Sequence, residues 1–225
     1  MEFPPTLVIN LDERTDRWEG IQKSFAGWPS SLQRISAVKA SPGWKGCYMS
    51  HLKSIEHARD NNYEWVLLTE DDCRLDEGAL SRFQALLPSL WEKRDDWDIF
   101  NGGPTFIRDI QKIQSEPPLF KIKAYAAHFS LINKSAYDKI LGFEEKEVDM
   151  LYSENLRMVC TRPKLAHQEV GKSDIINSDT DYSAGFESSD KELSKEGFQN
   201  KSDIDEFSLK FAMVCLVIAF VINYR

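Results

Sequence analysis

With 225 residues, 42% hydrophobic and 12% aromatic, the chain is long enough to bury one sizeable core and too apolar to be disordered throughout. Its net charge of −8 comes with no basic stripe, which argues against a nucleic-acid polymer as partner. Four scattered cysteines, Cys47, Cys73, Cys160 and Cys215, form no C-x-x-C pair, which speaks against a zinc finger or dense disulfide framework and for a reducing compartment.

Thr6-Leu7-Val8-Ile9 predicts a first strand, ending at Asn10-Leu11-Asp12. Asp16 to Phe25 reads as a helix, with Trp18, Ile21, Gln22 and Phe25 at spacings of three and four. Leu32 to Val38 alternates as a second strand. Met49, Leu52, Ile55 and Ala58, three apart, predict a helix laid against a sheet, with Ser50 as its N-cap. Trp65-Val66-Leu67-Leu68 is an apolar run bounded by charge, the pattern of a short strand buried on both faces. A helix over 77–90 follows, then a strand at Asp98-Ile99-Phe100 and a turn at Asn101-Gly102-Gly103-Pro104. Tyr125 to Ile132 predicts a further strand and Lys134 to Leu141 a short helix. This alternation over residues 1–175 is the signature of an α/β domain.

The chemistry concentrates after the apolar run, where Glu70-Asp71-Asp72 places three acids in succession. The plain reading is a solvated acidic turn. The buried strand ahead of it favours another, because the carboxyl ends of strands in open α/β sheets are where ligands bind. Adjacent carboxylates there suit a hard divalent cation shared with substrate phosphates.

Residues 176–207 differ in kind, carrying nine acids against three lysines and few large apolar side chains. Such a segment buries too little surface to offset its ordering entropy and reads as a flexible acidic linker. Beyond it, 208–225 contains an uncharged run from Phe211 to Ile222, with Lys210 at one end and Tyr224 and Arg225 at the other. Leu209 to Tyr224 spans roughly 24 Å as a helix, slightly short of a ~30 Å hydrocarbon core. It is expected to be a single-pass C-terminal membrane anchor helix, or a helix lying at the bilayer interface. Met1-Glu2-Phe3-Pro4-Pro5 lacks a basic n-region and an apolar h-region, so the expected orientation leaves the folded domain facing the cytosol.

The landmarks of residues 6–175, in order, resemble glycosyltransferase family 25, the lipopolysaccharide and collagen galactosyltransferase-like enzymes. Val8-Ile9-Asn10-Leu11-Asp12-Glu13-Arg14-Thr15-Asp16-Arg17 resembles the "NLDxRxDR" start, and Gly46-Cys47-Tyr48-Met49-Ser50-His51 the "GCxxSH" element. Leu68-Thr69-Glu70-Asp71-Asp72 is similar to "ILEDD", Trp97-Asp98-Ile99 to "WDIxxL" and Ser173-Asp174-Ile175 to "SDI". Ile35-Ser36-Ala37-Val38 resembles the "AVD" strand, but Lys39 stands where an acid is usual.

The resemblance implies a GT-A-like, Rossmann-type mixed α/β domain that moves a sugar from a nucleotide-sugar donor to a glycan or glycoconjugate acceptor. A UDP-linked donor and galactose are favoured, with Mn²⁺ or Mg²⁺ at the acidic motif. Asp72 is then the first candidate metal ligand. Glu70 joins it or, with Asp71, holds the ribose or a metal-bound water. His167 is a further metal candidate, against a surface loop histidine or a role falling to Gln168. Asn10, Leu11 and Asp12 are placed to meet uracil and ribose, and Arg14, with Arg17 as a second candidate, the diphosphate. Arg14 and Arg17 could instead pair with neighbouring acids on a helix face. Ser50 and His51 belong to the donor side. Asp149 is the candidate base for the acceptor hydroxyl, against an acid stabilising a helix N-terminus, and Asp98 is the second candidate. The alternative is a membrane-tethered, non-catalytic binding or scaffold protein that retains the glycosyltransferase fold.

Overall fold

The computed structural model describes residues 2–169, together with the backbone of Gly171–Lys172 and Asp179–Thr180. Its centre is an eight-stranded mixed sheet. The strands are β1 (Thr6–Asn10), β2 (Leu32–Ser36), β3 (Trp65–Glu70), β5 (Ile99–Asn101), β6 (Thr105–Gln114), β7 (Leu119–Tyr125), β8 (Phe129–Asn133) and β9 (Met158–Thr161). Their order is β2-β1-β3-β8-β5-β9-β7-β6. β1 is parallel to both β2 and β3, while β8 runs antiparallel to β3 and to β5.

The helices are α1 (Thr15–Ser24), α2 (Gly43–Asp60), α3 (Ala79–Glu92), α4 (Tyr137–Leu141) and α5 (Val148–Asn155). They cover both faces of the sheet, which is why β1 and β3 are apolar in succession rather than alternating. Leu7, Ile9, Val66, Leu68 and Ile132 face one core with Ile55, Ala58, Ile140 and Leu151 from α2, α4 and α5. Val8, Leu67, Phe100 and Leu131 face the other, against Ile21 of α1, Phe25 at its C-cap, and Phe83 and Leu90 of α3. The mixed α/β class expected from the sequence is what the chain adopts.

This topology places the site. From β1 the chain passes through α1 on one face to β2, then through α2 on the opposite face to β3 on the other side of β1. The chain leaves the carboxyl end of β1 towards β2 on one side and that of β3 towards β5 on the other, so a crevice opens at the carboxyl ends of β1 and β3, the topological switch point of the sheet. Asn10 and Glu70 are the last residues of those strands.

Several local expectations are corrected. α2 begins at Gly43 and runs unbroken through Ser50, so Ser50 is not an N-cap. Its hydroxyl accepts the Val38 N–H at 2.8 Å and donates to the Gly46 carbonyl at 2.6 Å, pinning the exit of β2 to the helix. Gly46 sits under that same chain, where a Cβ would meet the Val38 oxygen at 2.4 Å. Met49, expected on the core face, is 41% exposed, because Tyr48, His51, Ile55 and Ala58 form the buried stripe. The strand expected over Tyr125 to Ile132 is two strands. Ala126 breaks it with φ +75°, a left-handed conformation that strains a residue carrying a Cβ. The edge hairpin of β6 and β7, and β9, were not anticipated, although Phe120-Lys121-Ile122-Lys123-Ala124 alternates as a strand should.

Two further short pairings complete the description. β4 (Cys73–Leu75) pairs antiparallel with β10 (Ala166–Gln168), and β11 (Gly171–Lys172) with β12 (Asp179–Thr180). Regular pairing therefore reaches into the segment read as linker. The "SDI" residues, the rest of that linker and the 208–225 anchor lie outside the described residues. Among the described residues, no helix is long and apolar enough to cross a membrane.

Candidate active site

At the carboxyl end of β1, Asn10 is fully buried and fully engaged. Its Nδ2 donates to Asp71 Oδ2 at 2.7 Å and to the Arg14 carbonyl at 3.0 Å, while Arg34 Nε donates to its Oδ1 at 2.7 Å. Arg34 also reaches Asp12 at 2.7 Å, out at the exposed rim. Asn10 thus acts as a strut between the ends of β1 and β3. Leu11 is half-buried, its carbonyl accepting the Arg14 N–H at 2.9 Å.

The acidic triplet splits by environment. Asp71 is buried and doubly satisfied, by Asn10 and by Arg17 Nη1 at 3.0 Å. Arg17 lies 3.7 Å from Asp72 as well. Asp72 Oδ1 is buried with no partner. Burial, then the negative charges of its neighbours, hold the carboxyls of Glu70 and Asp72 well above the ordinary carboxylate range, with Arg17 only partly offsetting this. Gln168 reaches Glu70 Oε2 at 3.5 Å and hydrogen-bonds Asp72.

From the opposite face, α2 and α5 add to the same pocket of charge. Asp149, in the first turn of α5, is pushed up to about 7 by burial and by Glu70, against a backbone hydrogen bond from Ala126 and the proximity of His51. His51 is pushed down to about 4 by burial, so its imidazole is neutral at physiological pH. Its Nδ1 meets the Tyr152 hydroxyl at 3.0 Å and its Nε2 lies 3.4 Å from Glu70 Oε1. The "GCxxSH" element thereby resolves into two i, i+4 pairs on one helix. Gly46 and Ser50 dock the helix, while Cys47 and His51 face Glu70.

Three expected site residues lie elsewhere. Asp98 precedes β5 at the opposite end of the sheet, where its backbone carbonyl accepts the Asn133 N–H. Although burial would raise it, its carboxyl is held down to about 2 by Arg157 and Lys139, so it is a structural ion-pair centre and not a base. His167 bonds Asp76 through Nδ1 at 2.6 Å, because strand alternation in β10 turns it away from the side on which Gln168 meets Glu70. Arg14 forks onto the exposed Asp16, at 3.0 and 2.9 Å. Of the residues missed as site components, Arg34 and Tyr152 carry no signal of their own, while Cys47 stands inside the "GCxxSH" element but ahead of the expected helix start at Met49. Arg17, weighed mainly as a helix-face partner, is the cation that enters the triplet.

The donor set fits a divalent cation. Buried or half-buried carboxylates with an orphaned oxygen and raised proton affinity are incompletely neutralised by the side chains around them.

No family model matches the sequence. It is similar to procollagen galactosyltransferase 1-B of Xenopus laevis, 26% identical over 131 residues that cover 46% of this chain and 21% of that protein. The chain thus spans about a fifth of that relative's length. Among solved structures it is similar to A197 from STIV, with TM-score 0.49 and 9% identity over 75% of this chain and 87% of that one. A glycosyltransferase involved in glycosylation of the major capsid of PBCV-1 gives TM-score 0.44 and 10% identity, over 72% and 83%.

Proposed function

We propose that this chain is a GT-A-like glycosyltransferase that moves a sugar, galactose favoured, from a UDP-linked donor to a glycan or glycoconjugate acceptor. The observation that carries the reading is the under-neutralised carboxylate cluster of Glu70, Asp72 and Asp149 at the switch point of the sheet. The likeness to a procollagen galactosyltransferase supports it. Asp72 and Glu70 are the residues that would hold Mn²⁺ or Mg²⁺. When bound, the cation neutralises charge that grows on the departing nucleoside diphosphate. Asp71, locked by Asn10 and Arg17, sets the position of the turn that carries Asp72. Asp149, with a proton affinity near neutrality, takes the acceptor hydroxyl proton. Asp12 and Arg34 at the rim of β1 are where the nucleoside is received.

The test is thermal stabilisation by UDP-, GDP- and CMP-sugars with and without Mn²⁺. One nucleotide sugar is expected to raise the melting temperature, and only with the metal. Because the folded-state acids hold protons that the unfolded chain has lost above about pH 4, apo stability falls as pH rises towards about 7. Cation binding needs those acids deprotonated, so the Mn²⁺ shift should be small at about pH 5.5 and large at about pH 8. A shift independent of both metal and pH removes the cluster from donor binding.

The 208–225 segment is proposed as a membrane anchor on its apolar composition alone. Deleting it should move the protein from the membrane to the soluble fraction with donor binding kept. Aggregation of the truncated chain would mark the segment as core.

A further inference from the structure

We propose that Cys47, His51 and Glu70 form a site for a borderline-soft divalent metal ion of the zinc type, distinct in chemistry from the hard-cation role given to Asp72. Cys47 and His51 are one turn apart on α2, and Glu70 approaches from the end of β3. One ligand atom from each lies within 4.8 Å of the others. A thiol, an imidazole and a carboxylate make the N, S, O donor set that zinc takes, whereas Mg²⁺ prefers oxygen alone.

The His51 ring carries the geometric argument. Its side chain is 2% exposed and its Nε2 is buried without a hydrogen-bond partner. That atom is 3.4 Å from Glu70 Oε1, and a tetrahedral ion with bonds of about 2.0–2.3 Å spaces its donors roughly 3.5 Å apart. The two groups therefore meet at the spacing of shared coordination. Its Nδ1 meets the Tyr152 hydroxyl at 3.0 Å, and in the tautomer whose Nδ1–H donates there the ring presents its Nε2 lone pair towards Glu70. An imidazole whose other nitrogen is fixed by a polar partner is the usual arrangement of a metal-bound histidine.

Three protein ligands leave one coordination position open. On binding, the Cys47 S–H bond breaks, its proton passes to solvent and a metal–sulfur bond forms, so no oxidant is needed. Because Glu70 also belongs to the carboxylate cluster, an ion held here would draw one donor away from the hard cation. That consequence rests on the proposed function; the binding itself does not.

Co²⁺ added to the nucleotide-free full chain reads the site directly. The expected result is a thiolate-to-cobalt charge-transfer band that one equivalent of Zn²⁺ displaces. Cys47→Ser should lose the band, and His51→Gln should weaken cobalt binding by more than the ~10-fold that loss of a ligand's supporting partner alone costs. A measurement that needs no variant is alkylation mapped by mass spectrometry, in which Zn²⁺ should protect Cys47 in the native chain. Absence of the band in the wild-type chain, its persistence in Cys47→Ser, or alkylation of Cys47 unchanged by Zn²⁺ would each overturn the proposal. Because no nucleotide sugar is present, none of these outcomes bears on the glycosyltransferase reading.

Discussion

Asp72→Ala is expected to leave the chain folded while lowering metal-dependent donor turnover by about 10²–10³-fold or more, some 3–4 kcal/mol of transition-state stabilisation. The two halves of this result share one cause. Asp72 stands in the turn beyond β3 with one carboxylate oxygen buried and unpartnered, close to the negative charges of Glu70 and Asp71. Such a group does little for the fold of the metal-free protein, since removing it relieves repulsion and a desolvation cost. Its use lies in the charge it offers a cation. Thermal unfolding of the metal-free variant should therefore match or exceed the wild type, and its Mn²⁺-induced shift should be lost. Turnover near the wild-type level would remove Asp72 from the metal role. A collapse in stability would instead make the carboxylate structural.

Asp98→Ala is expected to do the reverse, costing about 2–4 kcal/mol of stability. Asp98 is 1% exposed, and its oxygens accept from Arg157 N at 2.9 Å, Arg157 Nε and Nη2 at 3.0 Å each, and Lys139 Nζ at 2.8 Å. Truncation leaves the Arg157 N–H without that acceptor, at the point where β9, α4 and β5 are tied together. The sign of the pH dependence also differs from that of the cluster. The Asp98 carboxyl is held down to about 2, so its contribution is present above about pH 4 and is lost as pH falls through about 2. Urea unfolding of wild type and variant across that acid range checks both statements. Equal stability of the two near neutral pH would show that the ion pairs contribute nothing net. Donor binding by the folded variant should be unchanged, because Asp98 sits at the amino end of β5, across the sheet from Glu70.

The contrast between these two aspartates shows what was legible in the sequence. Both follow or precede an apolar strand, and both looked like site acids. Asp72 follows its strand and Asp98 precedes its own, but that alone does not decide the matter, because a mixed sheet sends strands in both directions. β5 lies parallel to β9 and antiparallel to β8, and only this pairing puts Asp98 at the edge opposite the crevice. His167 and Gln168 pose the same problem one residue apart. Strand alternation sends neighbours to opposite sides, and the register of β10 against β4 selects Gln168. Asp149 is a third case. Its helix-terminal position was readable, but its nearness to Glu70 depends on α5 folding back over the sheet.

By itself the sequence determined what local physics controls. Apolar runs bounded by charge set β1 and β3, apolar spacing of three and four set α1 and α3, and together they announced an α/β domain with acids at the end of a buried strand. The "GCxxSH" element was legible only as a motif, because the apolar spacing begins the helix at Met49; the start of α2 at Gly43 is what puts Gly46 with Ser50, and Cys47 with His51, on shared faces. The tertiary structure decided which of those faces and ends meet. Sheet order, strand direction and register are set by long-range packing that no single segment encodes. That packing joined Asn10 to Asp71 and Arg17 to the triplet, brought His51 and Asp149 to Glu70, and set Asp98 apart in an ion pair of its own.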